Sequence, residues 1–201
     1  MQVTWLGHAG FLIKDEEKTI LIDPWFEGNP VAPSRDIVPQ KVDVVFVTHD
    51  HGDHGYKDGI AICKKTGATF VSIFELANKA KADGVENVLG GNIGGTAEVA
   101  GIKFVFTVAH HSSNLGHPLG FIIMLPSLTI YHGGDTGLFS DMKLLGELYQ
   151  LDLAFLPIGS LFTMGPKEAA KAAQLLNVQK VVPMHYKTSV SYTHLTLPTK
   201  R

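Results

Sequence analysis

The feature that most constrains this chain is a junction. An apolar run, Val42–Val47, broken only by Asp43, leads directly into Thr48-His49-Asp50-His51-Gly52-Asp53-His54. The run is rich in β-branched residues and too short for a typical helix, so it reads as a strand buried on both faces. Three histidines and Asp53, the second of two aspartates in the stretch, then fall within six positions, His49 to His54, at its carboxyl end. A loop there can curl so that these side chains meet at one point. Imidazole suits zinc, and a carboxylate binds metal or holds a water. The bland alternative, an exposed polar loop, is the weaker one when four potential ligands crowd the end of a core strand.

Short apolar runs alternate with helical patterns on either side of this junction. Val3–Leu6, Gly10–Ile13 and Thr19–Ile22 are expected as strands, with a polar turn at Asp15–Glu17. Ala68–Ser72, Ile102–Val108, Gly120–Met124, Thr129–Tyr131, Leu153–Leu156 and Val181–Pro183 continue the strands, and Gly90–Gly95 reads as a glycine-rich loop. Helices are expected over about Gly59 to Lys65, Glu75–Lys81, Ser140–Tyr149 and Gly165–Leu176. In the last of these, Pro166 sits just inside the start, where a missing N–H costs nothing. Ala169, Ala170, Ala173 and Leu176 form its apolar face. Two β-rich halves, each with its own helices, imply an α/β fold of sheets packed face to face with helices outside.

One dense motif leaves coordination positions open, and three strand ends downstream offer candidates. His110-His111-Ser112-Ser113 follows Ile102–Val108, Gly133-Gly134-Asp135-Thr136-Gly137 follows Thr129–Tyr131, and His185 follows Val181–Pro183. Each is weak alone. Their shared placement at strand carboxyl ends favours a common site.

The run His49-x-His51-x-Asp53-His54, followed in order by His111, Asp135 and His185, resembles the metallo-β-lactamase superfamily. Gly7-His8-Ala9-Gly10, Asp23-Pro24, His111-Ser112-Ser113, the stretch Tyr131 to Lys143, Leu156-Pro157-Ile158-Gly159, Phe162-Thr163-Met164-Gly165-Pro166 and His185-Tyr186 narrow the likeness. They are similar to the UPF0173 group of metal-dependent hydrolases, relatives of the ascorbate-phosphate lactonase branch. The resemblance covers about residues 1 to 187. It implies an αβ/βα four-layer sandwich with the metal centre at one edge of the two sheets. It also implies two divalent ions, zinc first, with manganese or iron as alternatives. His49, His51 and His111 would hold one ion and Asp53, His54 and His185 the other, with Asp135 between them. Such a pair lowers the pKa of a shared water to give hydroxide near neutral pH, and Asp53 is the catalytic residue that takes up its proton. The expected function is hydrolysis of a small ester, lactone or phosphoester. One departure concerns the loop before Phe162, where the family carries an acidic residue after the glycine and this chain has Ser160-Leu161.

Other residues are weighed against plainer roles. His8 is expected to reach the pocket or support a ligand, with a packed histidine as the alternative. Asp23 is a candidate acceptor from a metal-binding histidine, with turn formation as the alternative. His132 is expected behind Asp135. Of the adjacent pair, His111 rather than His110 is expected to point at the centre, and His117 is expected at the surface. Trp25 and Phe26 line a pocket or the core, and Cys63 reads as a small buried hydrophobe.

Composition narrows the function classes. The 201 residues are 45% hydrophobic and 18% charged, with net charge −2. No basic stripe points to nucleic acid and no apolar run is long enough for a membrane. One cysteine excludes an internal disulfide framework. A cytoplasmic hydrolase acting on a small molecule, compatible with a homo-oligomer, is the expected reading, with one domain over residues 1–189. Competing readings are a di-iron redox protein and a phosphodiesterase or nuclease on the same scaffold. The redox relatives carry glutamate where this chain has His51, and the larger nucleases need an inserted domain. Residues 190–201 continue no earlier periodicity and resemble one reading frame of a sequencing-adaptor oligonucleotide. They are expected to be a non-native tail on a C-terminally truncated domain, and His194 is given no role.

Overall fold

A computed structural model describes residues 1–188; the expectation for residues 190–201 lies outside them. Twelve strands form two six-stranded sheets among the described residues. The first comprises β1 (Gln2–Gly7), β2 (Gly10–Asp15), β3 (Lys18–Ile22), β4 (Val44–Phe46), β5 (Thr69–Ile73) and β6 (Val88–Gly91), side by side in that order. The second runs β12 (Lys180–Met184), β11 (Leu153–Pro157), β10 (Thr129–His132), β9 (Leu119–Met124), β8 (Ile102–Val108) and β7 (Thr96–Val99). In the first sheet, β1 to β3 are antiparallel and β3 to β6 parallel. In the second, β7 to β10 are antiparallel and β10 to β12 parallel.

That pattern gathers strand ends. Two antiparallel steps restore direction, so β1, β3 and β4 all finish at one edge of the first sheet. By the same logic β8, β10, β11 and β12 finish together in the second.

Helices α1 (Tyr56–Thr66) and α2 (Phe74–Ala82) follow the parallel strands β4 and β5, while α3 (Met142–Leu148) and α4 (Pro166–Leu175) lie with the second sheet. The sheets meet through a layer of aromatic rings. Phe46 packs against Phe104 and Phe121 with ring centres 5.1 Å apart in both cases, and Phe11 against Phe155 at 4.2 Å. Each such ring, fully buried, contributes roughly 1.5–3 kcal/mol. A second cluster, including Val105, Ile122, Tyr131, Leu156, Ala169 and Ala172, fills the space beneath α3 and α4. The result is the helix–sheet–sheet–helix sandwich expected from the sequence.

Two local expectations fail. Gly90–Gly95 is not all loop: β6 ends at Gly91 and β7 begins at Thr96. Gly91 marks a close approach, since a Cβ there would lie 2.2 Å from Phe106 Cε2. The apolar run at Val42–Val47 keeps its burial over both flanks, yet only Val44–Phe46 is ladder-paired. Cys63 is buried on α1, and burial pushes its thiol up to about 12. Among the described residues no helix is long and apolar enough to cross a membrane.

Candidate metal centre

The carboxyl ends of six strands supply the site. His8 follows β1, Asp23 follows β3, and His49 to His54 follow β4. His111, Asp135 and His185 follow β8, β10 and β12. His8, Asp23 and His185 take positive φ values of 53°, 44° and 58°. Each therefore turns sharply out of its strand in a conformation that side-chain-bearing residues seldom adopt, a pattern found at functional sites.

Thr48 organises the loop after β4. It is fully buried. Its N–H donates to Asp23 Oδ1 at 2.8 Å and its hydroxyl to Asp23 Oδ2 at 2.7 Å. With that proton committed, Thr48 Oγ1 accepts from His49 Nδ1 at 3.0 Å. Asp23 Oδ2 also accepts from His54 Nδ1 at 2.7 Å. These bonds fix the tautomers of both rings and turn each Nε2 toward the site. A 3₁₀ turn at Gly52–His54 brings Asp53 and His54 round to face the same centre.

The remaining donors converge there. His49 Nε2 lies 2.9 Å from His51 Nδ1, and His111 Nε2 lies 3.3 Å from that same atom. Asp135 Oδ2 sits 2.9 Å from His185 Nε2, 3.3 Å from His54 Nε2 and 3.5 Å from His111 Nε2. Three overlapping groups result, each with ligand atoms within 4.8 Å of one another: His49, His51 and His111; His49, His54 and Asp135; and His8, Asp53, His54 and His185.

The site's electrostatics fit a cation. Burial opposes a charge on His54, yet Asp135 and Asp23 raise its pKa well above the ordinary value. Burial likewise opposes ionisation of Asp135, yet His54 and His185 hold its carboxyl well below the usual range. Asp53 is depressed too: burial works against it, while the hydrogen bond from His8 and the charge of His54 prevail. Burial, reinforced by His54, lowers His49, and burial lowers His111. Among the described residues, buried Asp135 Oδ1 makes no hydrogen bond and buried His54 Nε2 meets only Asp135 Oδ2, 3.3 Å away. A protein seldom leaves buried polar atoms so; a divalent ion answers both, and the imidazole and carboxylate set is of the right chemistry.

Other sequence expectations resolve individually. His8 Nε2 stands 3.1 Å from Asp53 Oδ2, and its Nδ1 pairs with Thr188 Oγ1. His132 stays away from the donor groups: its Nε2 donates to Ala9 O at 3.0 Å and its Nδ1 accepts from Gly134 N–H at 3.2 Å. It ties the turn carrying Asp135 to the turn between β1 and β2. His110 faces out and stacks on Phe139 at 5.0 Å, while His111 turns in. His117 is exposed. Trp25 stands edge-on to His8 at 5.4 Å, and Phe26 is buried.

Three supports escaped the sequence reading. One is Thr48, whose only signal was its place between strand and first histidine. Another is Asp50, which accepts from Ser113 Oγ at 3.0 Å and Asn114 N–H at 2.9 Å, joining the loop after β4 to the loop after β8. The third is Asp58 on α1, which pairs with Arg35 and accepts from the N–H groups of Phe26 and Glu27 at 2.7 and 3.0 Å. It pins the segment after Asp23. Gly55 permits this approach, since a Cβ there would lie 2.4 Å from the Pro24 carbonyl carbon.

A two-sheet sandwich with histidines and carboxylates converging at one edge defines a metallo-hydrolase class. Residues 2–185 match the family described as the β-lactamase superfamily domain. A UPF0173 metal-dependent hydrolase of Korarchaeum cryptofilum is 54% identical over 188 residues, covering 94% of this chain and 84% of that protein. One from Methanopyrus kandleri is 49% identical over 199 residues, with 94% and 85% covered. The solved structure of Igni18, a metallo hydrolase from Ignicoccus hospitalis, superimposes with a TM-score of 0.87 at 40% identity, covering 94% of this chain and 84% of that one. The chain belongs to the β-lactamase superfamily and, within it, to the UPF0173 metal-dependent hydrolases.

Proposed function

We propose that His49, His51, Asp53, His54, His111, Asp135 and His185 hold two divalent ions, zinc first, and that the centre hydrolyses a small ester, lactone or phosphoester. The convergence of three donor groups that share His49 and His54 carries this reading. One ion fits His49, His51 and His111. The other fits Asp53, His54 and His185, with Asp135 Oδ2 placed against rings of both groups.

When bound, the ions would supply a Lewis acid for the substrate's oxygen and activation of a water. The chain's own residues do the rest. Asp23 and Thr48 hold His54 and His49 with Nε2 presented. Asp53, whose side chain is partly exposed, is the group placed to accept the proton of the attacking water. His8 Nε2 lies 3.1 Å from one of its oxygens, an approach that orients the carboxylate. A cavity of about 260 Å³ opens over these residues, lined by His51, Asp53, His111, Ser112, Asp135, Phe162 and His185. That volume admits a small substrate.

Elemental analysis of folded, fully loaded protein should give two metals per chain; one or none overturns the dinuclear assignment. Asp53→Asn, with both metals verified present, should lower turnover about 10²-fold or more. An unchanged rate would remove Asp53 from handling the nucleophile.

A further inference from the structure

Gly52 lacks the reasons that make its neighbour glycine. Three residues on, Gly55 takes a φ of +71°, and a Cβ there would lie 2.4 Å from the Pro24 carbonyl carbon. Gly52 has no positive φ, is exposed, and a Cβ built on it would meet nothing within 4 Å. Glycine costs conformational entropy on folding, and one of its uses is to let a ligand come close to the main chain. With no internal cause for a glycine here, that use fits the position.

The surroundings of Gly52 say what comes close. His51 and Asp53, on either side of it, line the cavity over the metal centre. Gly52 itself lines a second hollow, a cleft of about 430 Å³. It is therefore a bare sill where the cavity and the cleft adjoin.

The cleft is walled by two aromatic rings, Trp25 and Tyr56, each held in place. Trp25 Nε1 donates to Glu27 O at 2.6 Å, and the ring stands edge-on, at 5.4 Å, to His8, the histidine beside Asp53. Tyr56 donates its hydroxyl to Asp83 Oδ2 at 2.8 Å and meets Phe70 edge-on at 5.8 Å. Asp58, paired with Arg35, accepts from the N–H groups of Phe26 and Glu27 and so fixes the segment that carries Trp25. Walls braced in this way need little rearrangement to receive a ligand, and the volume is that of a small-molecule site. Aromatic walls suit a flat ring, which gains from offset or edge-on packing beyond the area it buries.

We infer that the substrate lies across Gly52, with its reacting bond in the cavity over the metal centre and a ring-bearing group in the cleft lined by Trp25 and Tyr56. Gly52 is then a specificity-determining residue: the absence of a side chain is what lets the substrate span both hollows. This rests on the hydrolase reading above and narrows it to substrates that carry a ring a short span from the scissile bond.

Metal-anchored probes test the sill without a known substrate. Acetohydroxamate and 3-phenylpropanohydroxamate share a metal-binding head and differ in the ring. Both are titrated calorimetrically into metal-loaded and metal-free protein, with metal content verified afterwards. Burial of the ring should make the phenyl probe at least tenfold tighter than acetohydroxamate in loaded protein. In Gly52→Leu, whose new side chain stands at the cleft, that ratio should fall toward one. In Tyr56→Ala, which removes a wall of the cleft and none of the metal donors, it should fall at least threefold. Should Gly52→Leu not load metal, Tyr56→Ala decides alone. A ratio of one in the unaltered protein, a ratio unmoved in a loaded variant, or binding no tighter with metal than without it overturns the inference. If the ratios behave as expected but no ester, lactone or phosphoester bearing such a ring is turned over, the hydrolytic reading fails and the ring-binding cleft stands.

Discussion

Replacing Asp23 with asparagine separates the support of the site from its ligands. Asp23 is buried and accepts from Thr48 N–H, Thr48 Oγ1–H and His54 Nδ1–H at 2.8, 2.7 and 2.7 Å. Asparagine keeps one oxygen, enough for the backbone N–H, and sets an amide donor against the other two donors. The Thr48 hydroxyl can rotate to accept from that amide; the His54 N–H is then left without its carboxylate. Hydrogen bonds to charged groups contribute about 1.5–3 kcal/mol each. With the neutral bond weakened as well, the expected loss is roughly 2–4 kcal/mol, or about 4–16 °C for a chain of this size. His54 also loses the partner that fixes its tautomer, which should cost about 10–100-fold in metal affinity. Urea unfolding of chelator-treated protein reads the first quantity and a competitive metal titration the second. Asp23→Asn protein matching the wild type in both would show that this carboxylate neither holds the loop nor orients His54.

The adjacent histidines should behave unequally. His111→Ala removes a converging donor and should abolish tight binding of one metal, whereas His110→Ala, which loses only a stack on Phe139, should change affinity little; the reverse ranking would place the register one residue off. Gly134→Ala should destabilise the fold by about 3 kcal/mol or more and reduce metal content, because φ is +59° and the new Cβ would sit 2.2 Å from Leu119 O; wild-type stability and loading would show that the turn can yield. In metal-free protein, the depressed pKa of Asp135 means that its contribution is present above the ordinary 3.8 and lost as pH falls through the folded value. The raised pKa of His54 contributes fully below 6.5 and is lost as pH rises. The lowered pKa values of His49 and His111 act in the opposite sense to His54 from 6.5 downward, so the acid limb is the clean reading: urea midpoints should fall on acidification below 3.8. An acid limb of unchanged slope in Asp135→Asn would refute the assignment.

The parts of this molecule written in local periodicity were legible in its sequence. α4 declares itself through Pro166, although of the alanines read as its apolar face Ala170 is exposed and Ala172 is buried in its place; the loop after β4 declares itself through the density of its ligands. What escaped depends on contacts far along the chain. Gly90 and Gly91 look like turn residues; Gly91 is glycine because the Phe106 ring crosses it, a fact belonging to the partner sheet. The Asp58–Arg35 pair has no spacing that distinguishes it from ordinary surface charge until the fold buries one partner. His132 stands three residues from Asp135, which suggested a place behind the ligand. Its bonds instead run to Ala9 and Gly134, where it fastens a turn.

The donor set is split between the halves of the sandwich. His49, His51, Asp53 and His54 belong to the first sheet's edge, and His111, Asp135 and His185 to the second's. An ion held by both, as proposed, would act as a removable rivet between two layers that ring packing and hydrogen bonds such as Asp50 with Ser113 also join. Because it binds only the assembled form, each tenfold excess of free metal over the dissociation constant adds about 1.4 kcal/mol to stability. Scarcity of metal would therefore silence this enzyme and shorten its life together: the idle molecule is also the one that opens most readily to proteases.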